Sequence, residues 1–279
     1  MFLKTVWLLF ALGCFSAIAS SQPRAPSAQP NVVILKPPMV MPGLDRQRTI
    51  RLYLPPGYDK SDKRYSVLNM HDGQNLFDAA TSYAGEWGVD EALNQLSQSR
   101  KLELIAVGID HGGDKRIAEL SPWENPKHRN AEGKAYMEFV VKVVKPYIDR
   151  HYRTLSDREN TAIMGSSLGA LISHYAIYEY PAVFSKAGLF SPAYWFSTEV
   201  YATTAQRALP LDSKLYFAVG GREGRETVGD VNRMVALVLQ KSLPKENIFL
   251  KVVPDAEHNE AAWRAQFTHA IEWLFGAGK

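Results

Sequence analysis

Gly165-Ser166-Ser167-Leu168-Gly169 stands between an apolar run, Thr161-Ala162-Ile163-Met164, and a segment patterned as a helix from Ala170 to Tyr180. The order reads as strand, sharp turn and helix. A serine on such a turn has its hydroxyl exposed at a strand end, and glycines on both sides let two backbones approach where a Cβ would collide. The pentapeptide is short enough to arise by chance, so its flanks carry the argument. The competing reading is a glycine-rich strand-to-helix turn of any α/β protein. Ser167 is the candidate nucleophile.

Outward from this turn, strands and helices alternate. Upstream, Tyr65 to Met70 reads as a strand running into His71-Asp72-Gly73-Gln74-Asn75-Leu76-Phe77-Asp78, and Trp87 to Leu96 has the spacing of an amphipathic helix. Leu102 to Ile109 is a near-continuous apolar run, as in a parallel strand buried on both faces. Tyr136, Phe139, Val140, Val143, Val144, Tyr147 and Ile148 recur at helical spacing and predict a helix over 133–151. Downstream, strands are expected at Phe184–Phe190, Lys214–Val219 and Ile248–Val253, with helices at Val228–Lys241 and Asn259–Phe275. At the start, Asn31–Met41 and Arg48–Leu54 are β-patterned and predict an antiparallel pair at a sheet edge. The expected class is therefore α/β: a mostly parallel central sheet, helices on both faces, an antiparallel N-terminal edge. In such sheets reactive groups gather at the C-terminal ends of the strands.

The 279 residues are 46% hydrophobic and 22% charged, enough for one large core. A net charge of +3, with no long Lys/Arg block, gives no nucleic-acid or polybasic membrane footprint, so a small partner is expected. Residues 1–19 combine Lys4, an apolar core from Val6 to Ile18, and Ala17-x-Ala19, the pattern of a secretory signal cleaved near Ala19. Its apolar run is short for a membrane span, so no stable span is expected after cleavage; an uncleaved anchor is the alternative. Cys14 is the only cysteine, and acylation there would need a lipoprotein signal, for which Ala11 is not the usual leucine. Ordinary cleavage leaves an exported, periplasmic or extracellular chain without thiol chemistry or disulfides. Residues 20–30 are Pro/Ser-rich and read as a flexible linker, and 31–279 as the domain.

A serine hydroxyl needs a base in hydrogen-bond reach, and the base needs an acid to fix its tautomer. In α/β-hydrolases these follow in the order Ser, acid, His. Only His258 and His269 follow Ser167. His269 lies off the apolar stripe of the last helix and reads as a surface residue, whereas His258 sits in the polar loop Asp255–Glu260 just past a strand end. It is the candidate base, the alternative being a loop histidine capping the next helix. Glu223, in Gly220-Gly221-Arg222-Glu223-Gly224, is the first carboxylate beyond the strand Lys214–Val219. Glu226 and Asp230 compete with it but suit the start of the following helix, and the alternative for Glu223 is an ion pair with Arg222 or Arg225. The oxyanion donors would be the N–H groups of Leu168 and Gln74. His71 and Asp72 have no second ligand cluster at metal spacing, and no metal or cofactor is expected.

Taken together, Tyr65–Asp78, Gly165–Gly169, Gly220–Glu223 and His258-Asn259-Glu260 with Trp263 resemble the putative esterase family of α/β-hydrolases. That family includes feruloyl and acetyl xylan esterases, trilactone siderophore esterases, S-formylglutathione hydrolase and mycolyl transferases. The resemblance spans about residue 31 to the end and implies a serine carboxylic-ester hydrolase. It places the nucleophile on Ser167, the histidine on His258, the acid on Glu223 and the oxyanion donors on Gln74 and Leu168. Many relatives have Asp at the position of Glu223, and some siderophore esterases work largely as Ser–His dyads. Arg116 and Glu119 look like the family's Arg-x-x-Glu loop near the site, with a structural ion pair as the simpler reading. Ser191-Pro192-Ala193-Tyr194-Trp195-Phe196 would either wall an acyl or aryl pocket or pack as an aromatic cluster. The short connection from Ser191 to Pro210 encodes no large lid, so an open cleft for bulky or glycan-linked esters is expected. An acyltransferase of the same fold, or a silent binder of glycans or siderophores, are the rival functions.

Overall fold

The computed structural model describes residues 24–276, so the signal-peptide and Cys14 readings lie outside the described residues. In chain order the elements are β1 (Val32–Ile34), β2 (Met39–Met41), β3 (Arg46–Arg48), β4 (Ile50–Tyr53), β5 (Ser66–His71), α1 (Val89–Arg100), β6 (Leu104–Ile109), α2 (Arg116–Glu119), α3 (Gly133–Phe139), α4 (Lys145–His151), β7 (Thr161–Ser166), α5 (Leu168–Glu179), β8 (Lys186–Phe190), α6 (Glu199–Gln206), β9 (Lys214–Gly220), α7 (Arg225–Gln240), β10 (Ile248–Val253) and α8 (Glu260–Phe275).

Eight strands make one sheet in the order β1-β4-β6-β5-β7-β8-β9-β10. Only β4 runs against the rest, antiparallel to β1 and β6; the other pairs are parallel. The expected first strand is split: Pro37 and Pro38 lack the N–H a ladder needs, and beyond them β2 pairs with β3 in a separate ribbon.

Alternation explains why the inner strands read as unbroken apolar runs. Val67, Ile105, Val107, Ile163, Leu189 and Phe217 point to one core, under α3 to α7. Leu68, Met70, Ala106, Met164, Phe190 and Tyr216 point to the other, where α1 and α8 pack. Both faces are dry, so both residue sets must be apolar. Helix α5 is buried from Leu168 through Tyr178, which accounts for its lack of a polar face. The helix over 133–151 is present but carries a wide π turn at Val140–Val144. Pro146 follows two residues after Val144; it donates no N–H and its ring crowds the preceding turn, so the backbone opens there. Among the described residues no helix is long and apolar enough to cross a membrane.

The parallel register sets where chemistry can occur. Met70 stands opposite Met164, Ser166 opposite Phe190, Phe190 opposite Ala218, and Gly220 opposite Val253. Strands β5, β7, β8, β9 and β10 thus end at one rim. The residues that follow them, Asp72–Gln74, Ser167, Ser191, Gly221–Glu223 and Pro254–His258, are delivered to the same edge.

One expectation is corrected. Residues 24–30, read as a flexible linker from their Pro/Ser content, lie bound along the domain. The Ser27 N–H donates to Asp78 Oδ1 at 3.1 Å and its hydroxyl to Glu86 Oε2 at 2.8 Å, while Gln29 N–H donates to Asp90 Oδ2 at 2.8 Å. Arg24 Nη1 reaches the Ser82 carbonyl at 3.0 Å. Main-chain and side-chain donors meeting Asp78, Glu86, the buried Asp90 and the Ser82 carbonyl hold this segment, and Pro/Ser content carries no trace of them.

Candidate active site

Ser167 occupies φ 56° and ψ −119°, a backbone state that a side chain rarely adopts. It is held there by its own peptide groups: its N–H donates to Phe190 O at 2.9 Å, and its carbonyl accepts from Ala193 N at 3.1 Å. Of the flanking glycines, Gly165 is required by contact. A Cβ on Gly165 would lie 2.6 Å from the Gly169 carbonyl carbon.

His258 and Glu223, from the loops after β10 and β9, meet directly, with Nδ1 and Oε2 2.7 Å apart. The Glu223 side chain is 2% exposed and that of His258 43%. Burial works to raise the Glu223 pKa, but hydrogen bonds from His258, Ser191 and the Gly220 N–H outweigh it and hold the carboxyl below its ordinary value. Glu226 lies in the first turn of α7, and Asp230 accepts from Tyr201 Oη at 2.9 Å. Among the described residues, neither is hydrogen-bonded or ion-paired to His258. Ser167 and His258 line one open cleft of about 750 Å³. Among the described residues no hydrogen bond joins them; such bonds commonly tighten only when substrate is bound.

The turn after β5 faces the same cleft. Asp72 is left-handed at φ 57°, and Gly73–Asn75 form a single 3₁₀ turn. The Gln74 side chain pairs with the backbone of His111, Oε1 accepting its N–H at 3.0 Å and Nε2 donating to its carbonyl at 3.4 Å. Among the described residues, the N–H groups of Gln74 and Leu168 are engaged by no main-chain carbonyl. Gly73 has no room for a Cβ, which would lie 2.8 Å from the Gly108 carbonyl carbon.

Arg116 and Glu119 do not pair with each other. Arg116 grips Asp72 with two parallel bonds, Nε to Oδ1 at 2.7 Å and Nη2 to Oδ2 at 2.8 Å. Glu119 accepts from Arg48 at 2.5 Å and from Arg46 at 2.9 Å. Burial pushes Asp72 up, yet Arg116 dominates and its pKa is lowered. His111 is pushed down by burial, and its Nδ1 accepts the Gly113 N–H at 3.0 Å, which leaves the proton on Nε2. Arg116, His111 and Asp72 all line the cleft.

Two readings of the rim change. Tyr194 and Phe196 are buried away from the cleft, Tyr194 bonded to His174 Nδ1 at 2.8 Å, and Trp195 is exposed. The packed aromatic cluster is the one that forms; the cleft is walled instead by Thr81–Ala84, Glu260 and Trp263. His269 is exposed as expected, but its Nδ1 lies 3.0 Å from Tyr216 Oη, so it is tied to the surface of the fold rather than free. Sequence reasoning missed Ser191, whose Oγ lies 2.5 Å from Glu223 Oε1. Its only signal was its place one residue past β8, at the rim.

A family model described as putative esterase matches residues 42–274. The uncharacterized protein YbbA of Bacillus subtilis (strain 168) is 26% identical over 246 residues, covering 83% of this chain and 94% of YbbA. Among solved structures, a ferulic acid esterase superposes with a TM-score of 0.64 at 16% identity, covering 88% of this chain and 98% of its own. The enterobactin esterase FES of Shigella flexneri, solved in the presence of enterobactin, gives a TM-score of 0.69 at 18% identity, covering 90% of this chain and 60% of FES. Such identities support a shared fold, and the family match spans most of the chain: the protein belongs to the putative esterase family, with an α/β fold of the α/β-hydrolase type.

Proposed function

We propose that this esterase is an exported serine hydrolase of carboxylic esters that works through an acyl-enzyme on Ser167. The observation that carries the reading is the 2.7 Å pairing of His258 Nδ1 with Glu223 Oε2 beside the cleft that Ser167 lines. With Nδ1–H committed to Glu223, the free Nε2 is the base, taking the Ser167 proton as Oγ attacks the ester carbonyl. The N–H groups of Leu168 and Gln74 receive the negative charge that develops on the carbonyl oxygen. His258 then returns its proton to the leaving alcohol and activates the water that clears the acyl group.

The cleft supports a sizeable, polar ester. It is open, about 750 Å³, and lined by Gln74, Thr81, Tyr83, His111, Arg116 and Glu260, a set rich in donors and acceptors. The proposed substrates are a siderophore trilactone or a carbohydrate-linked ester, classes in keeping with the names of the ferulic acid and enterobactin esterases that share the fold. The experiment is Ser167→Ala assayed on p-nitrophenyl acetate, an enterobactin-type trilactone and a feruloyl sugar ester, with a fluorophosphonate label as a second readout. Loss of turnover and label with the fold intact is expected. Retained turnover would refute the assignment.

A further inference from the structure

The carboxylate of Glu223 is held by more than His258. Its Oε1 accepts two donors, the Gly220 N–H at 2.7 Å and the Ser191 hydroxyl at 2.5 Å. Ser191 Oγ in turn accepts the indole N–H of Trp263 at 2.9 Å. This last contact fixes the direction of every proton in the chain. An indole nitrogen only donates and an ionised carboxylate only accepts, so the hydroxyl between them has one orientation, accepting from Trp263 and donating to Glu223. With Oε1 filled, Oε2 is the oxygen left to His258.

Trp263 closes the arrangement from the other side. Its ring meets the His258 imidazole edge to face, with centroids 5.1 Å apart and planes at 86°. One side chain therefore abuts the imidazole with its ring and sets the Ser191 hydroxyl with its N–H.

The backbone at Ser191 shows that the hydroxyl is what this position supplies. Ser191 is left-handed at φ 46° and 1% exposed. Glycine takes that conformation without strain, so a serine there carries a steric cost that its side chain must offset.

We propose that Ser191 is a positioning residue of the ester hydrolysis, acting through Glu223: it commits one carboxylate oxygen so that the other presents a single, oriented lone pair to His258. The inference rests on the serine-hydrolase reading above. Without the hydroxyl, Glu223 regains rotational freedom, loses a donor that stabilises its charge, and holds the imidazole in the productive tautomer for a smaller fraction of the time.

The test compares Ser191→Ala, Ser191→Gly and Ser191→Thr. For Ala and Gly, kcat on p-nitrophenyl acetate is expected to fall about tenfold or more with KM within about twofold, and the acid limb of the pH–rate profile to move relative to the parent. Ser191→Thr, which keeps the hydroxyl but is β-branched at positive φ, is expected to recover most of kcat while lowering Tm. Activity would then follow the hydroxyl and not the stability. A second readout needs no turnover: in the Ser167→Ala background, the low-field proton resonance of His258 Nδ1–H should shift or vanish on Ser191→Ala. An unmoved resonance together with an unmoved kcat and acid limb overturns the proposal, even if Tm falls. A parent enzyme that hydrolyses no ester and takes no fluorophosphonate overturns the hydrolase reading itself, and the resonance still decides whether Ser191 governs the His258–Glu223 pair.

Discussion

His258 Nδ1 and Glu223 Oε2 stand 2.7 Å apart although the two residues are separated by 35 positions in sequence, on the loops that leave β10 and β9. The parallel pairing of those strands, which sets Val253 beside Gly220, brings the loops together. Replacing Glu223 by Gln keeps the volume but offers an amide that can present an N–H where an acceptor is required. The imidazole then settles in the wrong tautomer. The expected outcome is a fall in kcat of about 10³- to 10⁴-fold with KM little changed. Glu223→Asp shortens the reach and should retain an intermediate rate. Steady-state kinetics on p-nitrophenyl acetate, with circular dichroism to verify the fold, is the measurement.

Gly73→Ala tests the proposed second oxyanion donor, Gln74 N–H, without touching Ser167, His258 or Glu223. The new methyl would sit 2.6 Å from Asp110 Oδ1 and 2.9 Å from Asp110 N, and the main-chain atom cannot step aside as a flexible side chain would. The turn carrying Gln74 must shift, taking its N–H out of line. Loss of one such donor corresponds to about 10²- to 10³-fold in kcat. Gly169→Ala is the control: its Cβ would meet His71 Cβ at 3.3 Å, a contact that small adjustments relieve, so its loss should be smaller. Equal rates for the two variants would contradict the role of the Gln74 N–H.

These variants also mark what the sequence could and could not disclose. Gly165, Ser167 and Gly169 stood out because a strained turn admits few residue types, and Glu223 and His258 were sought after Ser167 in the order Ser, acid, His that α/β-hydrolases follow. Glu223 stood out as the first carboxylate past β9. The Ser191 hydroxyl was not legible, because its bond to Glu223 depends on Phe190 pairing with Ala218 across β8 and β9. The aromatic run Tyr194–Phe196 read equally well as pocket wall or packed cluster, since apolar residues serve both; His174, buried on α5 and bonded to Tyr194 and Thr204, draws it inward. Residues 24–30 misled for a different reason. Two of their anchors, at Ser27 and Gln29, are backbone N–H groups, which every sequence possesses.

Arg116→Ala should expose how far the cleft floor depends on one ion pair. The Asp72 side chain is 8% exposed and that of Arg116 27%, so the deletion leaves a carboxylate in a dry site without its cation. A cost of about 3 kcal/mol is expected, the low end for a broken buried pair because Arg116 is partly solvated. The pH dependence should reverse as well. In the parent, the Asp72 pKa is lowered, so its contribution is present above the ordinary carboxylate range and lost as pH falls through its folded value. Without Arg116, burial raises that pKa against only the smaller lowering pull of His111 and His71, so the variant should gain stability relative to the parent as pH falls. Urea denaturation of both proteins at mildly acidic and neutral pH reads the crossing directly, and parallel curves would count against it.

Asp90 supplies the last prediction. It lies in the first turn of α1, fully buried, and accepts the Gln29 N–H that fastens the N-terminal segment. Burial pushes its carboxyl up to about 7, the neighbouring Glu91 adds to the rise, and the Gln29 N–H opposes it. Asp90 Oδ1 and Glu91 Oε2 are buried with no donor between them, and one proton shared by the two acids satisfies both. The sign follows from linkage. A folded pKa above the unfolded one means that the native state binds the proton more tightly, so this stabilisation is complete below about pH 4 and is lost as pH rises through about 7. Each unit of displacement corresponds to about 1.4 kcal/mol. Asp90→Asn retains an acceptor for Gln29 and gives Glu91 a permanent N–H donor in place of the titrating proton. Thermal melts from roughly pH 5 to pH 8 should therefore fall less steeply in Asp90→Asn than in the parent. Identical slopes would mean that the Asp90–Glu91 proton is not taken up on folding.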